Sequence, residues 1–504
     1  MEGLIANLAL GFGVALSFQN ILYCLGGVLL GTLIGVLPGI GPVATIAMLL
    51  PVTFTLPPVS ALIMLAGIYY GAQYGGSTTA ILVNLPGEVS SVVTCLDGYQ
   101  MARQGRAGPA LGISAIGSFI AGCVATVVIA LFAPPLAEVA LKFGPAEYFS
   151  LMVLGLVGAT VLAHGSLVKA IAMVLLGLLL GLVGTDVNSG VARFNFSIPE
   201  LSDGIGFVGV AMGVFGFGEI ILNLETQAKG GPREIFTKKV SNLLPSLQDF
   251  KDCAGSIARG TVLGCALGIL PGGGALLASF AAYTLEKKVS KNQANFGKGA
   301  IQGVAAPESA NNAGAQASFI PLLTLGIPSN PVMALMIGAM MIQGIAPGPQ
   351  VMTERAELFW GMIASMWVGN LMLVVLNLPM IGLWIKLLTV PYRYLYPAII
   401  VFMCVGIYSL SNSPWDVMMT AMWGIGGYIF ARLECEPAPL MLGFILGPLM
   451  EENLRRAMLL SRGDPIVFFT RPISAGMLAV AALLLLIVLA PAIRQKREEA
   501  FVAD

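Results

Sequence analysis

The feature that most constrains this chain is a series of long apolar blocks. The blocks run for roughly 15 to 25 residues, the length that a helix needs to cross about 30 Å of hydrocarbon. Only 10% of the residues are charged, whereas soluble domains carry about 25%. This composition excludes a soluble enzyme, a disordered scaffold and a nucleic-acid-binding protein. The sequence therefore predicts an all-α polytopic membrane protein surrounded by lipid.

Polar breaks divide the apolar blocks into two groups of predicted spans. The first group covers 109–133, 146–163, 168–185 and 205–224. The second group covers 357–379, 396–411, 415–431, 437–450 and 472–493. Two further regions, 20–100 and 254–347, are apolar but are interrupted repeatedly by Pro and Gly. We expect these two regions to hold broken helices instead of simple spans.

The placement of basic residues predicts the orientation of the chain. Lys and Arg favour the cytoplasmic side of a membrane, so we place the basic stretches 225–259 and 286–298 and the C-terminal RQKREE in the cytoplasm. Only 26 residues, Gly260 to Leu285, separate the first two stretches. Two crossings would need about 40 residues. The segment is therefore predicted to form a re-entrant hairpin with its turn at Gly268–Gly274.

Four short motifs recur in the same order with a spacing of roughly 240 residues, which indicates an internal repeat. They are GVLPGIG (35–41) with GILPGGG (268–274), Gly71–Gln73 with Gly314–Gln316, Pro86 with Pro328, and Gln-Gly at 104–105 and 343–344. Each match alone is weak, but their shared order predicts a duplicated unit. Pairs of apolar spans follow in both copies.

Charge predicts that the two copies have opposite orientations. The base of the second hairpin is rich in Lys, whereas residues 1–100 contain no Lys or Arg. Inverted repeats of this kind are a common plan of secondary transporters, whose sites lie at the repeat interface. The first predicted repeat is 1–230, with a broken-helix region 20–108 and scaffold spans 109–224. The second is 231–504, with a broken-helix region 254–350 and scaffold spans 357–493.

The two Pro-Gly turns are predicted to form a carboxylate site. Irregular backbone at membrane depth persists only where protein, water or a ligand satisfies it. Helices that begin after such turns present free N–H groups and partial positive charge, so two facing turns would bind a carboxylate without Lys or Arg. Close helix packing is the alternative role of these small residues. The predicted substrate-binding residues are Pro38, Gly39, Gly41, Ser77, Thr78, Thr79, Asn84, Pro271, Gly272, Gly273, Gly274, Ser329 and Asn330.

A second predicted site binds the coupling ion. Side-chain oxygens suit a hard cation such as Na⁺, and carboxylates inside a membrane mark ion pathways or paired sites. The predicted ion-coupling residues are Glu308, Asn311, Asn312 and Gln316. Two alternatives stay open: Glu308 as a helix N-terminal acid near the cytoplasmic interface, and Ser77–Thr79 bonded to their own backbone. Beyond Na⁺ or H⁺, no metal or cofactor is expected.

The motifs resemble those of the TctA family, the large membrane subunit of the tripartite tricarboxylate transporters. The matching stretches are GVLPGIGPVATIAMLLP (35–51), YYGAQYGGSTTAILVNLPGE (69–88), DGYQMARQGRAGPAL (97–111), GILPGGGALLASF (268–280), APESANNAGAQASFIPLLTLGIPSNP (306–331) and IQGIAPGPQ (342–350). The resemblance implies a multi-pass protein of the bacterial inner membrane, driven by an ion gradient that is usually Na⁺. It also implies two partners: a small four-helix membrane subunit and a periplasmic binding protein that delivers citrate or another carboxylate.

The sequence favours an ion-coupled secondary transporter for a di- or tricarboxylate over two rival classes. An intramembrane enzyme needs a nucleophile–base pair or a metal set, and the chain has one His and no HExxH, so we predict no enzymatic activity. A passive anion channel is the other alternative. By analogy with other transporters, we predict that the broken regions move in an elevator-like manner against the scaffold spans. We also expect the scaffold to form a homodimer in the lipid bilayer.

Overall fold

A computed structural model describes most of the chain. The described residues are 2–37, 41–84, 86–163, 166–186, 189–229, 240, 243–270, 274–291, 293–388 and 392–489. Within them the chain is almost entirely helical, and its two strands, Gly184–Thr185 and Ala192–Arg193, form a short antiparallel ladder. The predicted all-α fold is confirmed.

The first half of the chain forms eleven α-helices among the described residues. They are α1 (Glu2–Ala15), α2 (Phe18–Gly35), α3 (Pro42–Thr53), α4 (Pro58–Val83), α5 (Val92–Thr94), α6 (Gln100–Arg103), α7 (Ala107–Ala140), α8 (Pro145–Leu162), α9 (Leu167–Gly181), α10 (Phe207–Ala211) and α11 (Gly218–Lys229). π-Helical turns, Cys95–Tyr99 and Met212–Phe217, lead into α6 and α11. Short 3₁₀ turns lie at Val89–Ser91 and Pro199–Leu201.

The second half adds thirteen α-helices within the described residues. They are α12 (Leu247–Gly268), α13 (Gly274–Val289), α14 (Gln302–Ala317), α15 (Phe319–Leu325), α16 (Pro331–Ile342), α17 (Gln350–Glu354), α18 (Ala356–Asn377), α19 (Ile381–Leu388), α20 (Tyr392–Ser411), α21 (Pro414–Arg432), α22 (Pro437–Leu460), α23 (Val467–Thr470) and α24 (Pro472–Leu489). A 3₁₀ turn, Gln293–Asn295, separates α13 from α14.

The predicted spans coincide with helices, and the outer surfaces of these helices are apolar. Among the described helices, α2, α7 and α18 are long and apolar enough to cross a membrane by themselves, and several shorter apolar helices accompany them. Large apolar side chains such as Phe402 on α20, Ile425 on α21 and Leu486 on α24 are exposed. Exposed apolar side chains in this number fit lipid better than water. The chain is therefore a membrane protein.

One expectation about the broken regions is wrong. We expected Gly75–Thr79 and Glu308–Gln316 to lie on irregular backbone, but the first segment lies inside α4 and the second inside α14. Helix α4 ends at Val83, and α14 is followed by the short helix α15, which ends at Leu325. The residues after α4 and α15, Asn84 and Gly326, both adopt left-handed conformations. Tertiary packing here overrides the low helix propensity of Gly.

Two stripes of glycines explain how the helices pack so closely. On α2, Gly27, Gly31 and Gly35 follow one another at intervals of four residues and press against backbone carbonyls of α4. On α12, Gly260, Gly264 and Gly268 press against α14 in the same way. A methyl group on any of these six glycines would overlap a backbone carbonyl oxygen of the neighbouring helix. These glycines therefore form packing surfaces between neighbouring helices.

The glycine stripes match each other residue by residue. Gly27, Gly31 and Gly35 become Gly260, Gly264 and Gly268 when 233 is added to each number. The carbonyls that they face belong to Met64, Ile68 and Ala72 on α4 and to Ala306, Ala310 and Gly314 on α14, which differ by 242. The same helix pair is thus built twice, and this supports the predicted duplication.

Two matching turns connect the halves reciprocally. Gln104-Gly105 ends α6 and Gln343-Gly344 ends α16, and both glycines have positive φ (82° and 69°). The Gln104 amide donates to the carbonyl of Lys298 at 2.7 Å, and the Gln343 amide donates to the carbonyl of Thr53 at 2.9 Å. Gln104 of the first half therefore holds the loop after α13, and Gln343 of the second half holds the end of α3. Likewise α7 packs on α14, and α18 packs on α4.

An ion pair connects the two helices of the second hairpin, α12 and α13, at its base. Both guanidinium contacts from Arg259 to the carboxylate of Glu286 measure 2.8 Å, and Ser256 donates to the same carboxylate at 2.8 Å. The predicted re-entrant segment begins one residue after Arg259, so this ion pair marks the boundary between the charged and apolar parts of the arms. The helices are longer than expected because α12 starts at Leu247, within the basic stretch. The residues of the turn itself, 271–273, lie outside the described residues.

Candidate functional site

A polar cluster lies buried in the interior, where α4, α7 and α14 meet the segment that follows Pro86. Its side chains come from both halves of the chain, and most are less than 5% exposed. Buried polar groups need partners, because an unpaired one costs about 1–3 kcal/mol. The hydrogen bonds of this cluster define two centres, one around Glu308 and one around Glu88.

The Glu308 carboxylate on α14 is surrounded by three hydroxyl groups. Ser77 on α4 donates to Oε2 at 2.5 Å, Ser114 on α7 donates to Oε2 at 3.1 Å, and Thr94 on α5 donates to Oε1. One turn along α7, Ser118 donates to the backbone carbonyl of Glu308 instead, at 3.4 Å. Glu308 thus points into the protein, away from lipid. It is 1% exposed.

This carboxylate has no cationic partner among the described residues. Its hydrogen-bond donors are neutral hydroxyls, and the ion pairs of the described chain lie elsewhere. Hydroxyl donors lower the cost of a buried carboxylate but do not neutralise it. An acid in this setting either carries a proton or accompanies a cation. The alternative that Glu308 is merely an interfacial acid at a helix start is not supported, because it lies one and a half turns inside α14 and is fully enclosed.

The second centre surrounds Glu88, in the loop after Pro86. Ser90 contacts Glu88 Oε1 through its hydroxyl, and it also lies 3.0 Å from Gln73 Oε1 and 2.6 Å from Asn311 Oδ1. The Asn311 amide nitrogen donates to Glu88 Oε1 at 3.2 Å. Gln73 comes from α4 and Asn311 from α14, so both halves of the chain contribute to this centre.

The described residues flanking both Pro-Gly turns adjoin this polar cluster. At the first turn, Gly35 at the end of α2 lies directly against Gly87, next to Glu88. At the second turn, Gly274 begins α13 with a φ of 41°, and a Cβ there would lie 3.5 Å from the amide nitrogen of Asn330. The Asn330 amide lies 3.4 Å from the hydroxyl of Tyr69, which neighbours Gln73. Described residues flanking both turns therefore lie near the Glu88 centre, and they come from opposite halves of the chain.

The other two predicted ion-coupling residues lie further along α14. Asn312 donates to Ser118 at 2.7 Å, and Gln316 accepts from Thr126 at 2.5 Å. Neither side chain contacts the Glu308 carboxylate. The Asn312 oxygen, the Gln316 nitrogen and both polar side-chain atoms of Asn370 are buried without a hydrogen-bond partner.

The predicted hydroxyl residues of α4 have different surroundings. Ser77 contacts the Glu308 carboxylate, as described above, and its hydroxyl also lies 2.9 Å from the Gln73 carbonyl of its own helix. Thr78 donates to a backbone carbonyl of its own helix at 3.3 Å, and Thr79 donates to the carbonyl of Val36 at 2.8 Å, which links α4 to the end of α2. Asn84 ends α4 in a left-handed conformation and is exposed, so the structure does not bring it to the cluster.

The remaining predicted substrate residues flank the turns. Gly41 precedes α3, and a Cβ there would meet no atom within 4 Å. Ser329 donates to the carbonyl of Ser318 at 3.4 Å, and Asn330 caps α16 by accepting from the Met333 amide at 2.9 Å. The turn residues lie outside the described residues: Pro38, Gly39, Pro271, Gly272 and Gly273.

Several members of the cluster are not among the residues predicted from the sequence. They are Tyr69, Gln73, Glu88, Ser90, Thr94 and Ser114. Gln73 carries a signal, since its GAQ motif recurs at Gly314–Gln316. Glu88 follows Pro86-Gly87, a position that is also typical of a helix-capping acid. The hydroxyl residues carry no local signal, because their role depends on contacts with residues about 200 positions away.

A further acid, Asp97, has a structural role. It is fully buried and accepts hydrogen bonds from the backbone amides of Gly299 and Ala300, each at 2.8 Å, and from the Tyr283 hydroxyl at 2.9 Å. These contacts anchor the loop between α13 and α14. The Asp97 carboxylate therefore binds the other half of the chain.

An apolar helical exterior and a buried polar centre without cationic side chains define an integral membrane protein with a hydrophilic interior site. The model of the tripartite tricarboxylate transporter TctA family matches residues 21–442, and the chain belongs to that family. It is therefore a component of a tripartite tricarboxylate transporter.

Two relatives from Agrobacterium vitis are similar to this chain. The "Uncharacterized 52.8 kDa protein in TAR-I ttuC' 3'region" is 61% identical over 504 residues and covers the whole of both chains. The "Uncharacterized protein in TAR-II ttuC' 3'region" is 61% identical over 241 residues, which is 48% of this chain and all of the relative. No solved structure matches this chain. The names of the two relatives state no substrate.

Proposed function

We propose that this chain is the large membrane subunit of an ion-coupled secondary transporter that imports citrate or a related di- or tricarboxylate. In this proposal it works in the bacterial inner membrane with its C-terminus in the cytoplasm. A periplasmic binding protein delivers the substrate, and a small four-helix membrane subunit completes the complex. The coupling ion is Na⁺ by preference and H⁺ otherwise.

The observation that carries the proposal is the enclosed Glu308 carboxylate with its three hydroxyl partners. A buried charge without a partner is costly, and ionisable groups inside membranes mark ion pathways. A cation held by Glu308, Ser77, Thr94 and Ser114 would balance the charge with oxygen ligands, which hard cations prefer. Binding of that cation would then be coupled to the packing of α4, α5, α7 and α14, which supply the four side chains.

The substrate carboxylate is proposed to bind between the two Pro-Gly turns. Helices α3 and α13 begin directly after these turns, and amide N–H groups in a first helical turn have no acceptor within the helix. Because α3 starts at Pro42, which has no N–H, the donors of α3 are the amides of the next residues, Val43 and Ala44. Gly274, at the start of α13, adjoins the amide side chain of Asn330. Amide donors of this kind bind anions without a fixed positive charge. This arrangement suits a chain whose described interior centres contain no Lys or Arg.

The matched glycine stripes and the reciprocal Gln-Gly turns support the proposed arrangement of two inverted repeats. In this arrangement the hairpins and the helices α4 and α14 form a transport region, and the long outer helices form a scaffold. Reciprocal contacts between halves are expected when a pseudo-twofold axis relates them. Elevator-like movement of the transport region would carry the site from one side of the membrane to the other.

The test is uptake of labelled citrate into proteoliposomes that contain this chain with its two partner proteins. We expect uptake to accelerate with an inward Na⁺ gradient and to lose that acceleration in Glu308→Gln. The control is Glu434→Gln, because Glu434 is exposed and paired with Lys169 at a surface, and this variant should transport normally.

Two outcomes would contradict the proposal. Uptake that ignores Na⁺ and H⁺ gradients and the binding protein indicates a passive channel. Conversion of citrate to another compound by the purified chain indicates an enzyme.

A further inference from the structure

A small cavity lies beside the Glu308 centre, where α4, α7 and the end of α18 meet. Its volume is about 10 Å³, which is room for one water molecule or one monovalent cation. The polar side chains that line it belong to Tyr74, Thr78, Ser114 and Asn377. The Ser114 hydroxyl also donates to Glu308 Oε2 at 3.1 Å, so the cavity directly adjoins the proposed ion site.

The side chain of Asn377 gives the cavity a buried acceptor. Its nitrogen donates to the carbonyl of Leu373, one turn earlier on α18, at 2.9 Å. Turning this amide by 180° would set two oxygens face to face, so the bond fixes its orientation. The Asn377 oxygen has no hydrogen-bond partner in the described part of the chain, and the residue is 5% exposed. Because a buried polar atom is costly unless it is satisfied, the cavity is suited to a bound water molecule or cation.

The oxygens of the lining favour a cation that is held weakly. Thr78 donates to the backbone carbonyl of Tyr74 at 3.3 Å. Since Ser114 likewise acts as a donor, to Glu308, both hydroxyl oxygens keep lone pairs for a ligand. With the Asn377 oxygen they form a neutral set of oxygen ligands, the kind that hard cations prefer. Such a set holds a cation less tightly than the Glu308 carboxylate does, and conduction requires positions that release their ion.

The cavity lies at the end of α7 that we assign to the cytoplasm. Gln104, shortly before α7, donates to the carbonyl of Lys298, which ends a basic stretch. Ser114 is seven residues after Ala107, the first residue of α7, which is about 10 Å along the helix axis. Leu111, about one turn nearer to that end, also lines the cavity. The cavity therefore extends from Ser114 towards the cytoplasmic side.

We propose that this cavity is the cytoplasmic access position of the coupling cation. In this inference, which rests on the proposed function, a cation that leaves Glu308 passes the Ser114 hydroxyl. It is held next by the oxygens of Asn377 and Thr78. A carboxylate substrate needs a pocket of roughly 300 Å³ or more and does not fit here. The ion and the substrate therefore leave the protein by different routes.

The competing explanation is that one structural water bonds to Asn377 and that no ion passes. The two explanations differ in what reaches this position from solution. Ag⁺ is close to Na⁺ in size and binds thiols, so it reports whether a monovalent cation can enter the cavity. A position that holds only a structural water should exclude Ag⁺ as well as any other buried position does.

The experiment applies Ag⁺ to the full chain in sealed membrane vesicles, in a background without native cysteines. Asn377→Cys places a thiol at the cavity, and the thiols that Ag⁺ has not occupied are counted with a fluorescent maleimide after denaturation. The matched control is Ala364→Cys. Ala364 is fully buried on the same helix, thirteen residues earlier, which places it on roughly the opposite side.

We expect Ag⁺ added at the cytoplasmic side to modify Asn377→Cys about tenfold faster than Ala364→Cys, and excess Na⁺ to slow the reaction severalfold. Equal rates in the two variants would overturn the inference, as would access from the opposite side alone. A rate that Na⁺ does not change would also overturn it, in favour of a structural water. If Asn377→Cys does not fold, Thr78→Cys tests the same cavity by the same criteria.

A second variant separates this inference from the proposed function. Asn377→Leu should lower the maximal rate of Na⁺-driven citrate uptake by about tenfold. Asn453→Leu should not, although it loses the same kind of bond to the carbonyl four residues earlier. Normal uptake by Asn377→Leu would overturn the access role and leave the proposed function intact. Absence of citrate uptake by wild type, with Na⁺-sensitive labelling of Asn377→Cys, would reject the proposed function and leave the access position intact.

Discussion

Two serines one turn apart on α7 provide a sharp test of the Glu308 centre. Ser114 donates to the Glu308 carboxylate at 3.1 Å, whereas Ser118 donates to the Glu308 backbone carbonyl at 3.4 Å. Both are buried. Replacement of either by Ala removes one hydroxyl from the same helix and leaves a similar small cavity. Only Ser114→Ala removes a proposed ligand of the coupling cation.

The expected loss of Na⁺ affinity follows from the hydrogen-bond geometry. A hydrogen bond to a charged group contributes about 1.5–3 kcal/mol, and each 1.4 kcal/mol is a factor of about ten in affinity. Ser114 makes a longer contact than Ser77, which lies at 2.5 Å, so its contribution belongs at the lower end of this range. We expect Ser114→Ala to raise the half-saturating Na⁺ concentration by about tenfold and Ser77→Ala to raise it more.

The assay is the Na⁺ dependence of labelled citrate uptake in proteoliposomes, with Na⁺-dependent thermal stabilisation of the purified chain as a second readout. Ser118→Ala should leave the half-saturating Na⁺ concentration within about twofold of wild type, because Ser118 contacts the Glu308 backbone carbonyl and the Asn312 amide but not the Glu308 carboxylate. Equal shifts in Ser114→Ala and Ser118→Ala, or no shift in Ser114→Ala, would refute the reasoning.

The remaining predictions concern the packing of the two halves and are read from thermal unfolding in detergent. Gly31→Ala and Gly264→Ala should each destabilise the chain by about 1–3 kcal/mol, because the new methyl group overlaps a backbone carbonyl. The control Gly26→Ala should not destabilise it, since a methyl group there meets no atom within 4 Å. A Gly264→Ala protein as stable as wild type would contradict the packing of α12 against α14. Gln104→Leu and Gln343→Leu should each cost about 1 kcal/mol, and clearly unequal effects would argue against the reciprocal arrangement.

The fold is predictable where the signal is local. Length and apolarity of a segment determine whether it can span lipid, so the span predicted at 109–133 corresponds to α7 and that at 357–379 to α18. Charge spacing likewise predicts a hairpin at Gly260–Leu285. The regular helix through Gly75–Thr79 is not predictable locally, because it depends on how closely α2 approaches α4.

The candidate site is predictable only in part. Glu308 stands out because an acid within an apolar region is costly and therefore informative. Its hydroxyl partners do not stand out, since Ser and Thr are common in membrane helices and usually bond to their own backbone. The Glu88 centre combines Gln73 and Ser90 with Asn311, which lies 221 residues after Ser90. No spacing in the sequence indicates that contact.

The glycine stripes are a further sequence signal of the duplication. Glycines at intervals of four residues occur in both copies, at Gly27–Gly35 and at Gly260–Gly268, with the same offset as the LPG motifs. Such spacing places the glycines on one helix face and permits close helix contact. The spacing of these glycines is therefore sufficient to indicate a duplicated helix pair.

The most direct test of the account asks whether a carboxylate binds beside the Pro-Gly turns. In a background without native cysteines, Gly41→Cys introduces a thiol next to the first turn, where space is available, and Thr353→Cys places a control thiol at an exposed position on α17. Saturating citrate with Na⁺ should slow maleimide labelling of the first thiol severalfold and leave the second unchanged. If citrate is transported while both thiols react at unaltered rates, the substrate binds elsewhere and the account is wrong.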